Sequence, residues 1–195
     1  MLRGMIFLDH LNFDISIQNY YRSENEFSPK LDYNVLFKNI TMKIENVDFL
    51  KAFIFAPRPD DFLMRDERLC KHYKWISGLK NTRYIDVVES SYYARPTDPT
   101  IEMDITNRST YYKVEKGTDI NLAIHILSKA HYNSFDIAYI VSGDTDYIPI
   151  FKQLKNIGKI AVLVTVQGQN FGKIIPEIDD FIVLDRAFFN TCRRD

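Results

Sequence analysis

Ile137–Phe151 reads IAYIVSGDTDYIPIF. The first five residues are apolar without alternation, as in a strand buried on both faces. Ser142 and Gly143 break the run, two aspartates follow with one residue between them, and a new apolar pattern begins at Tyr147. That pattern runs at helical spacing to Ile157, where Gly158 offers a C-cap. A buried strand leading at once into an amphipathic helix is one half of a parallel βαβ unit, and parallel sheets are covered on both faces. A turn needs one aspartate at most, so Asp144 and Asp146 at the mouth of a buried strand call for a chemical reason.

Working outward, Lys159–Val166 (KIAVLVTV) is the least ambiguous strand in the chain. A short helix near Phe171–Glu177 and a last strand, Phe181–Leu184, finish the expected fold, with GQNFG (Gly168–Gly172) as a plain loop. Upstream, Thr118–His131 predicts a helix with Thr118 as its N-cap and Leu122, Ile126 and Ala130 on one face. Met5–Leu8 is a short buried strand closed by Asp9. Helical spacing follows over Leu11–Tyr21 and Asp32–Met42, separated by SENEFSPK. Val47–Ala56 is a strand stopped by PRPDD. Asp61–Leu79 predicts a helix with Leu63, Leu69, Tyr73 and Ile76 inward and Gly78 near its end. Thr82–Ser91 is a third strand, and the alternation in TIEMDI and TYYKVE predicts a β-ribbon insertion near residues 92–112. The 195 residues form one domain, 1–195, of α/β class.

Composition narrows the functions. With 25 basic and 26 acidic residues the chain has no overall attraction for nucleic acid or membrane. Cys70 and Cys192 are far apart and form no CxxC, which argues against a disulfide framework or a thiolate zinc site. The first apolar run is too short for a signal segment or a membrane span, so the expectation is a cytoplasmic protein with no membrane partner. No phosphate-binding P-loop, dinucleotide fingerprint or serine nucleophile elbow is present. His125 and His131 do not face one way, and His72 is expected at the surface.

The aspartates remain. Ligand crevices of parallel sheets lie beyond the carboxyl ends of the strands. Asp9 ends one strand, Asp144 and Asp146 follow another, and Asp119 opens the helix that feeds the second. If those two strands are neighbours, their ends lie about 4.8 Å apart. Two carboxylates 4 Å apart repel by roughly 4 kcal/mol at an effective dielectric near 20. Such a group must protonate, splay or hold a cation, and all-oxygen ligation favours Mg²⁺ or Mn²⁺. Singly, each aspartate has a plainer reading: Asp146 as a helix cap, Asp119 as a complement to a helix dipole, Asp144 as an Asx-turn.

DHLN (Asp9–Asn12), KGTD (Lys116–Asp119), SGDTD (Ser142–Asp146) and an IGK-plus-strand tail (Ile157–Val164) occur in an order that resembles NYN domains, members of the PIN-like nuclease superfamily, with the LabA-like bacterial branch most similar. The resemblance spans roughly Met5–Asp185. It implies a three-layer α/β/α sandwich with a central, mainly parallel sheet. It also implies an acidic pocket holding Mg²⁺ or Mn²⁺ and hydrolysing RNA phosphodiesters. Asp9, Asp119, Asp144 and Asp146 match the family's acidic, metal-binding positions, Asn12 its polar partner near the scissile phosphate, and Ser142 a hydroxyl lining the site. His10 stands where a smaller residue is expected and would touch substrate or pack internally. Single-stranded RNA would be gripped by Lys113 and Lys116 beside Tyr111 and Tyr112. The 92–112 ribbon would serve as a substrate clamp or as the arm of a homodimer. Two rivals stand beside this reading: a non-catalytic RNA-binding module, and a haloacid-dehalogenase-like phosphatase, against which Leu11 occupies the place of a required second aspartate.

Overall fold

Met5–Leu8 present nothing that needs water, and the fold puts them at its centre. A computed structural model describes residues 1–194. In it β1 (Leu2–Asp9) lies between β2 (Val47–Pro59) and β5 (Ile137–Val141) in a seven-stranded sheet. The remaining strands are β3 (Ile85–Pro96), β4 (Tyr111–Lys116), β6 (Ile160–Val166) and β7 (Asp180–Leu184), in the order β4-β3-β2-β1-β5-β6-β7. Every neighbouring pair is parallel except β3 and β4.

Alternation across the pleat builds two cores. Ile6, Leu8, Ile54, Tyr139 and Val141 face α1 (His10–Ser23), α2 (Tyr33–Thr41), α3 (Glu67–Gly78) and α6 (Arg186–Thr191). Met5, Phe7, Phe53, Phe55, Ala138 and Ile140 face α4 (Thr118–His131) and α5 (Ile148–Ile157). The result is the expected three-layer α/β/α sandwich. The chain turns one way from β1 to β2 and later returns to β5 on the other side, so β1 and β5 flank the point where strand order reverses.

Several expectations need correction. β2 does not stop at PRPDD but continues to Pro59. Its β1 partner ends at Asp9 opposite Phe55, so beyond that point β2 pairs with β3 alone and prolines are tolerated. TYYKVE is a strand, but TIEMDI is not. Asp98, Asp104 and Asn107 accept from the backbone N–H two residues on, at 2.8, 2.9 and 3.1 Å, and these local turns outcompete a ladder. The ribbon is therefore β3 and β4 joined by a coiled connection. Gly117 (φ 93°), not Thr118, caps α4, and the Thr118 hydroxyl lies 2.5 Å from that of Ser90 instead. The helix expected near Phe171–Glu177 is a single 3-10 turn, Ile175–Glu177. A helix follows the last strand: Asp185 caps α6, accepting from the Phe188 N–H at 2.8 Å, while Phe188 and Phe189 fill the first core. Among the described residues no helix is long and apolar enough to cross a membrane.

Candidate active site

Leu8 pairs with Val141, so Asp9 and Ser142 leave adjacent strands side by side. Asp9 is only 6% exposed. Its Oδ1 accepts from the Asn12 N–H at 3.1 Å and thereby caps α1. Its Oδ2 accepts from the Tyr147 hydroxyl at 2.9 Å, and the same hydroxyl donates to Asp119 Oδ1 at 2.7 Å. One phenolic proton thus stands between two carboxylates brought together from positions 9 and 119. Burial pushes the Asp9 carboxyl up to about 6; the bonds from Asn12 and Tyr147 oppose that rise, and the charges of Glu115 and Asp119 add to it. Tyr147, itself 1% exposed, has its phenol pKa driven upward by burial and by both aspartates. As Asp9 takes up a proton it donates to the phenol oxygen, which then donates outright to Asp119.

Glu115, near the end of β4, belongs to this group, and its own carboxyl is raised by burial and by Asp119, against a bond from Thr118. Asp144 behaves differently. Its Oδ1 accepts from the Asp146 N–H at 3.0 Å, capping the 3-10 turn Thr145–Tyr147, and Asp146 is exposed. Among the described residues no three His, Cys, Asp or Glu side chains converge closely enough to hold an ion as they stand. The four aspartates share one rim by backbone position, but only Asp9 and Asp119 are joined. The donors fit a hard divalent cation in kind, since all are oxygens and among the described residues no positive side chain pairs with the buried Asp9.

The loop after β5 is held from behind. Asn12 Oδ1 accepts from the Gly143 N–H at 3.1 Å and from Gln169 Nε2 at 3.2 Å. Gln169 Nε2 also donates to the Ser16 hydroxyl at 2.7 Å, and its Oε1 accepts from Thr165 Oγ1 at 2.7 Å and Val166 N at 2.8 Å. Its amide is fully satisfied and ties α1, β6 and the loop together. The buried Ser142 accepts from the Asp144 N–H at 3.2 Å. A Cβ on Gly143 would push aside the Gln169 amide, which is held in place by its bonds to Asn12, Ser16, Thr165 and Val166.

His10 is buried, with its ring against Tyr33 and His72 at centroid distances of 6.1 and 5.3 Å. Burial and the His72 charge hold its pKa down to about 3. His72, expected at the surface, is half-buried in that aromatic group. Lys113 alternates with Glu115 on one face of β4, with its ammonium 5.8 Å from the Tyr92 ring; burial and Arg108 lower its pKa while Asp66 opposes. Lys116 is exposed at the strand end, opposite Ser91. Tyr111 is buried and Tyr112 exposed. Sequence reasoning missed Tyr147, Glu115 and Gln169. Tyr147 lies inside the decisive stretch, yet reads there as the first apolar residue of a helix.

The NYN domain family model matches residues 4–185. No curated protein matches the chain. A crystal structure of a protein of unknown function from Vibrio parahaemolyticus is similar with a TM-score of 0.57 at 16% identity, over 96% of this chain and 95% of that one. At that identity the likeness speaks for the fold alone.

Proposed function

The chain belongs to the NYN domain family, which is nuclease-like, and from that premise we propose that it hydrolyses RNA phosphodiesters with Mg²⁺ or Mn²⁺ at the Asp9 site. The observation that carries this reading is the Tyr147 hydroxyl shared between the buried Asp9 and the exposed Asp119. A buried carboxyl with a second carboxyl at its mouth, at a strand-order reversal, is a place where a compensating cation is favoured.

Asp9 and Asp119 would hold the ion, with Asp144 and Asp146 on the adjoining loop supplying further oxygens. When bound, a divalent cation supplies charge neutralisation and a water acidic enough to attack phosphorus. Tyr147 fixes the two carboxylates against each other. Asn12, Gln169 and Ser142 set the course of the 142–146 loop. Lys113 and Lys116 would meet phosphates, and the exposed Tyr112 ring offers a stacking face for an unpaired base. Products would carry 5′-phosphate and 3′-hydroxyl ends.

Labelled single-stranded RNA incubated with Mn²⁺ tests this. Wild type should cleave, Asp9→Asn should lose at least ~100-fold in rate, and Asp144→Asn should fall as well. Equal cleavage by wild type and Asp9→Asn would remove the site from the chemistry. RNA affinity that survives EDTA, with no turnover in any divalent ion, would make the protein a binding module.

A further inference from the structure

A second cavity, of about 500 Å³, opens between α1, the 28–31 loop, the start of α2 and α3. The Asp9 site does not use it. Its aromatic lining includes Tyr33, His72 and Trp75. The Trp75 ring lies 5.3 Å from Tyr33 at 81° and 5.8 Å from His72 at 52°, so the rings are inclined to one another instead of stacked shut. The buried His10 packs against both Tyr33 and His72 behind this wall. Among the described residues Asp14 is the one carboxylate in the lining, half-buried one turn after His10. Gln18 Nε2 donates to its Oδ2 at 2.7 Å, and among the described residues nothing donates to Oδ1. Burial raises the Asp14 carboxyl and the His72 charge lowers it. Lys30, Lys71 and Arg194 line the same cavity; Lys71 Nζ also reaches the exposed Glu67 at 3.2 Å, a surface pair that a phosphate would compete with.

A flat ring that donates two neighbouring hydrogen bonds and carries an anionic tail would satisfy all three features. We propose that the cavity binds a guanine nucleotide, with the base N1–H and N2–H on the Asp14 carboxylate, the ring against Trp75 and the phosphate among Lys30, Lys71 and Arg194. Of the common bases only guanine offers two adjacent donors to the two oxygens of one carboxylate; a second lone pair on Oδ2 remains for the ligand beside Gln18. Aromatic and cationic side chains supply stacking and phosphate contact in the ordinary way. A cavity of this size suits a mononucleotide. The guanosine could be a free nucleotide or one residue of single-stranded RNA. The inference stands on this cavity and does not depend on chemistry at Asp9.

Trp75 is the chain's only tryptophan, so its fluorescence reports on the cavity directly. The full chain is titrated in EDTA, to exclude cleavage, with GMP, IMP, AMP and inorganic phosphate, and with short oligoribonucleotides with and without guanine. GMP should quench saturably. IMP, which lacks the N2 donor, should bind about tenfold more weakly, and AMP no better than inorganic phosphate. Asp14→Asn, checked for folding by circular dichroism, should abolish the preference for GMP over IMP. Lys30→Gln should weaken GMP severalfold and flatten its salt dependence. If only the guanine-containing oligonucleotide quenches, the ligand is RNA; if GMP alone suffices, it is a free nucleotide. Absence of quenching by both, equal binding of GMP, IMP and AMP, or an unchanged preference in Asp14→Asn would overturn the proposal. Should Asp14→Asn not fold, the GMP-to-IMP ratio on wild type decides.

Discussion

Asp9 holds its carboxyl at about 6 in the fold against an ordinary 3.8. A raised carboxyl means that the folded chain binds the proton more tightly than the unfolded one, so metal-free stability falls as pH rises from about 4 to about 6. At pH 7 Asp9→Asn should stabilise the metal-free protein by about 1–3 kcal/mol in urea unfolding, the upper end being the full shift of roughly two units. The amide can still accept from Asn12 and can donate to Tyr147, as the protonated acid does. A destabilised Asp9→Asn would contradict the burial argument. Gly143→Ala, by contrast, must displace the Gln169 amide and should cost about 1–3 kcal/mol in the same assay. These neighbours show which residues a sequence can reveal. Asp9 is legible because an aspartate closing an all-apolar strand has little other reason to be there. Tyr147 and Gln169 are not, since a tyrosine at a helix start and a glutamine in a glycine-flanked loop each have a common plain reading. Only the third dimension brings Gln169 within 3.2 Å of Asn12, 157 positions away.

Strands β1, β5 and β6 could be read directly, because burial on both faces leaves an uninterrupted apolar run. The β3–β4 ribbon was half legible: alternation marks TYYKVE, whereas TIEMDI alternates equally and coils, its neighbouring Asp and Asn side chains having captured backbone N–H groups. α6 is too short for periodicity to register. The start of β1 is fastened by one residue that belongs to no strand. Asp136, just before β5, accepts from Arg3 N at 2.8 Å, Arg3 Nε at 3.1 Å and Arg3 Nη2 at 2.8 Å. The Arg3 bonds hold its carboxyl down at about 2. A depressed carboxyl contributes stability above its unfolded pKa and loses it as pH falls from about 4 to about 2. The pair is partly exposed, so solvent discounts it. Asp136→Ala should cost about 1–2 kcal/mol at pH 7, mostly through the lost donor partners, and that difference from wild type should vanish near pH 2. A difference that persists in acid would mean that the side chain acts by packing instead.

For the whole molecule, the two aspartates oppose each other in their effect: Asp136 strengthens the amino end of the sheet while Asp9 weakens the carboxyl end. Stability is lowest, on this reasoning, at the proposed site, as expected of a charged group built into a fold otherwise free to bury apolar side chains. A ligand that binds only the folded chain and neutralises Asp9 should recover what Asp9 forfeits. At a Mn²⁺ concentration about 100-fold above its dissociation constant, linkage gives about 2.7 kcal/mol. For a chain of this size that is a rise in Tm of roughly 5–10 °C. Wild type should show it at pH 7 and progressively less below pH 6, where protons compete for Asp9. Asp9→Asn should start from a higher Tm without metal and show little further rise, which separates the lost ligand from any general weakening of the fold. Ca²⁺, larger and more tolerant of irregular ligation, serves as the comparison ion. If Mn²⁺ raises the Tm of wild type and Asp9→Asn alike, the ion binds elsewhere and the buried carboxyl at the end of β1 has another purpose.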